Sequence, residues 1–195
     1  TYSNTFLKYF FGVLKPIARY FEHSFVKDAT ETIIISKVHY NYIKSHYKVT
    51  PQILGFGTKI PDQVPHNRGD ILLSFGRWQK EKNPEFLLDL VKTIPKVKLI
   101  IAGHWINTDE LKQFASKIKQ YNLEKRVSLV PHYENGELAK LCAKARVFIH
   151  PHFEAFGLAA MEAAGHGLPI IIPEKSGVTE MFQHGIHGYF PKDIN

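Results

Sequence analysis

Apolar residues in this chain cluster in short continuous runs, separated by longer stretches with helical spacing. Runs at Thr32–Ser36, Gln52–Gly55, Ile71–Phe75, Val97–Ala102, Val127–Val130, Val147–His150 and Leu168–Ile172 are rich in Ile, Val and Leu. They read as strands buried on both faces. Between them, apolar positions recur every three to four residues over Val38–Tyr47, Pro84–Thr93, Thr108–Tyr121, Glu137–Lys144, Leu158–Ala164 and Val178–Gln183, which predicts helices. Pro84 suits a first helical position, with Asn83 expected to cap it. Strict alternation of strand and helix predicts an α/β, Rossmann-like parallel sheet with helices on both faces. Ligands of such sheets sit at the carboxyl ends of the strands.

The first quarter of the chain reads differently. Tyr2 to Phe25 is an aromatic helical stretch, expected to break or kink at Pro16. The polar, breaker-rich segment Pro61–Asp70 reads as a linker, and the domain boundary is expected between residues 66 and 67. What precedes it is one strand–helix–strand stretch, too little for a Rossmann-like domain.

Composition narrows the class. With 195 residues, 44% hydrophobic and 22% charged, the chain can bury one good core, or one plus part of another. No apolar run approaches a membrane span, and the polar start lacks the basic region of a signal peptide. The expectation is a cytoplasmic protein; without an initiator Met, the chain is expected to be a fragment or a processed form. The aromatic helix carries Lys8, Lys15 and Arg19 beside Phe6, Phe10, Phe11, Leu14, Ile17 and Phe21. It could rest on the cytoplasmic face of a membrane or pack on another domain or chain. A net charge of +7 suits nucleotide diphosphates, anionic lipid or nucleic acid. No nucleic-acid motif accompanies it, and the cations are scattered, as on an ordinary solvated surface. The single cysteine, Cys142, excludes an internal disulfide and sits in a helical pattern as a small apolar residue. No Cys/His spacing suits zinc, and no metal is expected.

The residues with most chemical content lie in His152–Ile172. Gly157 frees the backbone for a tight turn, Leu158–Ala164 follows as a helix, and Gly165 and Gly167 end it. Glu154 therefore falls in the loop at a helix mouth, and Glu162 about two turns along. A helix start offers free N–H groups and a positive dipole end to phosphate; carboxylates beside it can accept from sugar and ribose hydroxyls. The plain alternative is an exposed loop acid and a solvated helix acid. Gly76-Arg77 and Lys82-Asn83 follow the strand at 71–75; a forked guanidinium and a point charge together suit a diphosphate, or are loop cations in solvent. Lys80 is a weaker competitor. Gly103 ends the strand before His104 and permits close backbone approach. Beyond the strand at 127–130, His132 or Tyr133 could stack on a base or simply pack. Glu180, after Gly177, fits the first turn of a helix.

The pattern Glu154-x₇-Glu162 with Phe156-Gly157 inside, then Ala163 and Gly167-x-Pro169 before an apolar strand, resembles the donor site of retaining GT-B glycosyltransferases of family 4 (glycosyl transferases group 1). That group includes many mannosyl- and glucosyltransferases. Thr32-Ile-Ile-Ile-Ser36 resembles the end of such a protein's N-terminal domain, so the chain would hold that tail (1–66) and the C-terminal donor domain (67–195). The resemblance implies transfer of a hexose, mannose or glucose, from GDP-mannose, UDP-glucose or ADP-glucose, with no cofactor. Arg77, Lys82 and Glu154 would act at the reacting centre. Gly76, Gly103, His132, Phe156, Gly157, Leu158 and Glu162 would bind the donor. Pro151-His152 departs from the family's usual Pro-Ser. With most of the acceptor domain absent, the chain would bind donor but turn over poorly. Other readings are a phosphorylase or epimerase on the same fold, or a non-catalytic nucleotide-sugar or membrane-surface module.

Overall fold

The computed structural model describes the backbone of residues 3–62, 64–65, 68–134 and 136–192, and side chains from residue 12 onward except 13. Tyr2, and the side chains of Lys8, Phe6, Phe10 and Phe11, lie outside the described part. The chain divides into two compact units, 1–55 and 56–195. The boundary thus falls eleven residues before the expected one, and the reason is in the packing of the intervening segment, given below.

The first unit opens with α1 (Ser3–Asp28), which runs through Pro16 without a break. Proline removes one intrahelical donor, and a 26-residue helix tolerates that loss. Two-residue strands β1 (Ile33–Ile34) and β2 (Gln52–Ile53) pair in parallel around α2 (Tyr40–Tyr47). The start of the expected helix, Lys37–His39, is a 3-10 turn. Tyr47, 3% exposed, donates its hydroxyl to Glu22.

The second unit is a six-stranded parallel sheet. Its strands are β3 (Ile71–Phe75), β4 (Lys98–Ala102), β5 (Val127–Val130), β6 (Val147–Ile149), β7 (Ile170–Ile171) and β8 (Gly188–Tyr189). Their spatial order is β5-β4-β3-β6-β7-β8. The chain winds outward from β3 through β4 to β5, then returns to β6 and winds the other way. This is the doubly wound order, and its switch point lies between β3 and β6.

Successive strand residues face opposite sides of the sheet, and each side has its own helices. α3 (Pro84–Thr93) and α4 (Thr108–Gln120) cover one side. There Leu87, Leu88, Val91, Phe114 and Ile118 bury against Leu99, Ile101, Val127 and Ile149. α5 (Glu137–Lys144) packs on β3, and α6 (Leu158–Gly165) on β6 and β7. On that side Phe75 and Phe148 meet edge to face at 4.9 Å. Cys142 is fully buried here, and burial pushes its thiol up to about 12, so it remains an unreactive thiol.

Two expectations fail at element ends. Asn83 does not cap α3 with its side chain: it follows the 3-10 turn Lys80–Lys82 and takes a left-handed φ of 51°, whereas a capping residue needs extended backbone. The cap on α4 is Asn107, which accepts from the Asp109 amide at 2.8 Å. The expected helix at 178–183 is a 3-10 turn, Gly177–Met181.

The segment after Gly55 packs on the second unit. Phe56 meets Phe156 edge-on at 5.5 Å. Cβ atoms added at Gly165 and Gly167 would come within 2.6 Å of Thr58 and 2.5 Å of Val64. Arg68 reaches four carbonyls of this unit: Pro65 nearby, and Cys142, Ala145 and His166 across it. What reads as a linker by polarity is held by these contacts. Gln63, His66 and Asn67 lie outside the described residues.

Candidate functional site

At the switch point the carboxyl ends of β3, β4 and β6 meet. Gly76 and Gly103 end β3 and β4 side by side with φ of +154° and +113°. A Cβ on Gly103 would lie 2.0 Å from the Gly76 carbonyl oxygen, so only glycine fits. Beyond them the ladder resumes as a bridge between Trp78 and Trp105. Trp78 is fully buried and donates its indole N–H to the Ala102 carbonyl at 2.8 Å. This forms a firm floor, from which residues 77 and 79–83 rise toward the site.

The loop 150–157 crosses that floor. Glu154 donates its backbone N–H to Ser176 Oγ at 3.2 Å, and its carbonyl accepts from the Gly177 amide at 3.0 Å. The Phe156 carbonyl accepts from the Val178 amide. Gly157 turns into α6 with φ +102°, its α-carbon close under Val178. The 3-10 turn at 177–181 therefore braces the loop from behind.

One carboxylate oxygen gathers the polar groups. Glu154 Oε1 accepts from Lys82 Nζ and from His150 Nε2, the latter at 3.0 Å. Burial by itself would raise the Glu154 carboxyl; the hydrogen bonds from His150 and Lys82 outweigh it, together with the lysine charge and, once the imidazole takes a proton in acid, the histidine charge, and hold the group at about 2. His150 is 3% exposed, its ring centroid 5.5 Å from that of Trp78 and 6.4 Å from that of Phe148. Burial lowers its imidazole below the ordinary value, against the pull of Glu154. Its buried Nδ1 has no hydrogen-bond partner among the described residues. A proton there would be an unsatisfied buried donor, costing about 1–3 kcal/mol. The ring is therefore neutral, with its proton on Nε2 facing Glu154.

The remaining expected residues fall around this core. Arg77 is exposed at the end of β3, with no ion pair to a described residue. Lys82 lies in the 3-10 turn before α3, paired with Glu154 rather than open to solvent. Phe156 and Gly157 are buried and Leu158 is half exposed at the α6 start, where the first amides lack intrahelical acceptors. Glu162 lies on α6, its carboxyl raised by burial, and its charge acts on the half-buried Tyr133 hydroxyl. Tyr133 in turn meets Phe75 edge-on at 6.3 Å. His132 is exposed just beyond β5, as is His104 beyond β4. The structure thus brings Lys82, His150 and Glu154 together. Among the described residues, no group of three or more His, Cys, Asp or Glu could hold a metal ion, and no helix is long and apolar enough to cross a membrane. A cleft between Pro95–Val97 and Arg146 opens at the opposite end of the strands and contains none of these groups.

His150 was missed by sequence reasoning, which placed it only as a strand end. The signal was its position four residues before Glu154.

The family model for glycosyl transferases group 1 matches residues 57–194. The chain belongs to that family. Curated relatives include a sucrose synthase of Melioribacter roseus, 24% identical over 74% of this chain and 20% of that protein. Another is the mannosylfructose-phosphate synthase of Agrobacterium fabrum, 26% identical over 63% of this chain and 29% of its own length. Among solved structures, Anabaena HepE, in complex with UDP and glucose, superposes with a TM-score of 0.71 at 20% identity over 85% of this chain and 50% of HepE. The sucrose-phosphate synthase of Thermosynechococcus elongatus gives 0.74 at 24% identity over 89% and 48%. The chain spans under a third of those curated relatives and about half of those structures. Its Rossmann-like α/β architecture is the one found in these GT-B neighbours.

Proposed function

We propose that this chain carries the donor-binding half of a retaining family 4 hexosyltransferase, which takes mannose or glucose from a nucleotide diphosphate sugar. The observation that supports this most is the Lys82–His150–Glu154 cluster at the sheet's switch point, beside a helix start, in a group 1 glycosyltransferase chain. Arg77 and Lys82 would neutralise the departing diphosphate, with the amides at Phe156–Leu158 donating to it. Glu154, held ionised, would accept from hydroxyls of the transferred sugar. Glu162 would accept from the ribose, and Gly76 and Gly103 would let the ligand approach the backbone. On this reading Arg77 and Lys82 would carry that charge without a metal. Neither glutamate is assigned as a general base. The acceptor would bind in a part of the protein outside residues 56–195.

A thermal-shift screen of GDP-mannose, UDP-glucose and ADP-glucose tests the reading, because a ligand of the folded state raises the melting temperature. Calorimetry on two variants then divides the roles. Glu162→Ala is expected to weaken both the donor and its bare diphosphate, by about 1.5–3 kcal/mol. Glu154→Ala is expected to weaken the sugar-bearing donor by a similar amount. Since it releases Lys82 from its ion pair, it should leave the bare diphosphate bound as tightly or more tightly. If both ligands weaken equally in Glu154→Ala, the division of roles is wrong; a parent chain that no nucleotide sugar stabilises would defeat the function itself.

A further inference from the structure

Glu154 Oε1 has two donors with different freedom. Lys82 reaches it on a long flexible stem from an exposed turn, its side chain one-fifth accessible. His150 reaches it from the end of β6 on a short side chain whose buried ring lies beside Trp78 and Phe148. Lysine, with its four-carbon stem, can swing to another anion; the imidazole, 3% exposed on a single-carbon stem, has far less freedom. On the donor-site reading, an arriving diphosphate draws the Lys82 ammonium toward itself. Glu154 then loses one of the two groups that fix its orientation. Its other oxygen, Oε2, has no hydrogen-bond partner among the described residues and is the one available to a ligand.

We propose that His150 is a positioning residue: it keeps Oε1 of Glu154 anchored when Lys82 leaves for the diphosphate, so that Oε2 remains aimed at the sugar hydroxyls. The inference rests on the donor-site reading for its consequence, and on the geometry of His150 and Glu154 for its cause. Lysine and histidine thus divide the work. The lysine is shared between carboxylate and diphosphate, and the histidine serves the carboxylate alone.

Two variants separate the anchor from mere packing. His150→Phe keeps a ring for Trp78 and Phe148 and removes the donor. His150→Gln restores an N–H near the place of Nε2. Calorimetry with UDP-glucose and UDP, and with GDP-mannose and GDP, reads the sugar contribution separately from the diphosphate. Expected is about a tenfold loss for the sugar-bearing ligand in His150→Phe, with the bare diphosphate unchanged within about twofold, and recovery of most of that loss in His150→Gln. Equal loss of both ligands, no loss in a Phe variant that melts like the parent, or a Gln variant no better than Phe, overturns the proposal.

A second arm needs no ligand. Carbon NMR of the Glu154 carboxyl, with Lys82 replaced by Met, follows its titration with His150 alone as partner. The groups that face this pair are Lys82 and His152. Expected is a midpoint still below the ordinary carboxyl range in Lys82→Met, moving back toward that range when His150→Phe is added. Identical midpoints in the single and double variants overturn the anchor. If the parent binds neither ligand pair, the donor-site reading fails while this titration still decides the anchor.

Discussion

A buried imidazole that donates to a carboxylate while its other nitrogen is unpaired makes stability depend on pH in two steps. Burial lowers the His150 imidazole below its ordinary 6.5, so the folded protein resists a proton that the unfolded chain accepts. More protons on the unfolded side mean that stability falls as pH falls. The first loss thus begins near 6.5 and is complete below the lowered folded value. His166, lowered by burial and then by Arg68, adds to the same step. Glu154, ordinarily near 4.5 and held at about 2, gives a second loss between those values. Melting temperatures by scanning fluorimetry are therefore expected to be flat between about pH 7 and 8, to decline below 6.5 and again below 4.5, and to decline above pH 9, where the unfolded chain but not the folded one gives up the Cys142 proton. In His150→Phe the first decline should shrink, with His166 supplying the remainder. An unchanged slope between pH 7 and 5 in that variant would mean that His150 is not held neutral.

Among the elements, one residue before the sheet ties two helix ends together. Arg68 donates from Nη1 to the carbonyls of Cys142 (2.7 Å) and Ala145 (3.3 Å), and from Nη2 to His166 (2.7 Å). These are the terminal carbonyls of α5 and the carbonyl just past α6, where a cation also meets the negative dipole end. Arg68→Ala leaves these carbonyls without their charged donor and is expected to cost about 1.5–3 kcal/mol in urea unfolding. Arg68→Lys should recover less than half, because an ammonium cannot span both ends as a planar fork does. Such a clip is invisible in a polar stretch of sequence. Legible instead were elements with strong local patterns: β3, β5, α3 and α5 occupy their expected residues, and β4, β6 and α6 differ by one at an end. β8 has no apolar run at all; Gly188 is there because a Cβ would lie 2.0 Å from the Ile170 carbonyl oxygen. The site followed the same rule. Lys82 and Glu154 stood out through motif spacing, whereas the partnership of His150 arises only when a strand end and the loop after it fold over Trp78.

Across the whole molecule, the core that supports the site is self-contained. Among the described residues, every buried hydrophobic side chain apart from Tyr47 belongs to residues 73–190. The sheet, its four helices and the cluster at its switch point all lie within residues 56–195, a size at which single domains commonly fold alone. A chain beginning at Phe56 is therefore expected to fold and to bind the same nucleotide sugar as the parent within about twofold. One beginning at residue 67, where polarity alone puts the boundary, keeps Arg68 but loses Phe56 on Phe156, Thr58 beside Gly165 and Val64 beside Gly167. Partial burial of those side chains contributes about 1–2 kcal/mol, which for a domain of this size corresponds to a melting temperature lower by roughly 3–8 °C. Scanning fluorimetry of the two chains side by side measures it. Equal melting temperatures would mean that residues 56–66 add nothing to the second unit, and that the boundary belongs where the sequence pattern put it.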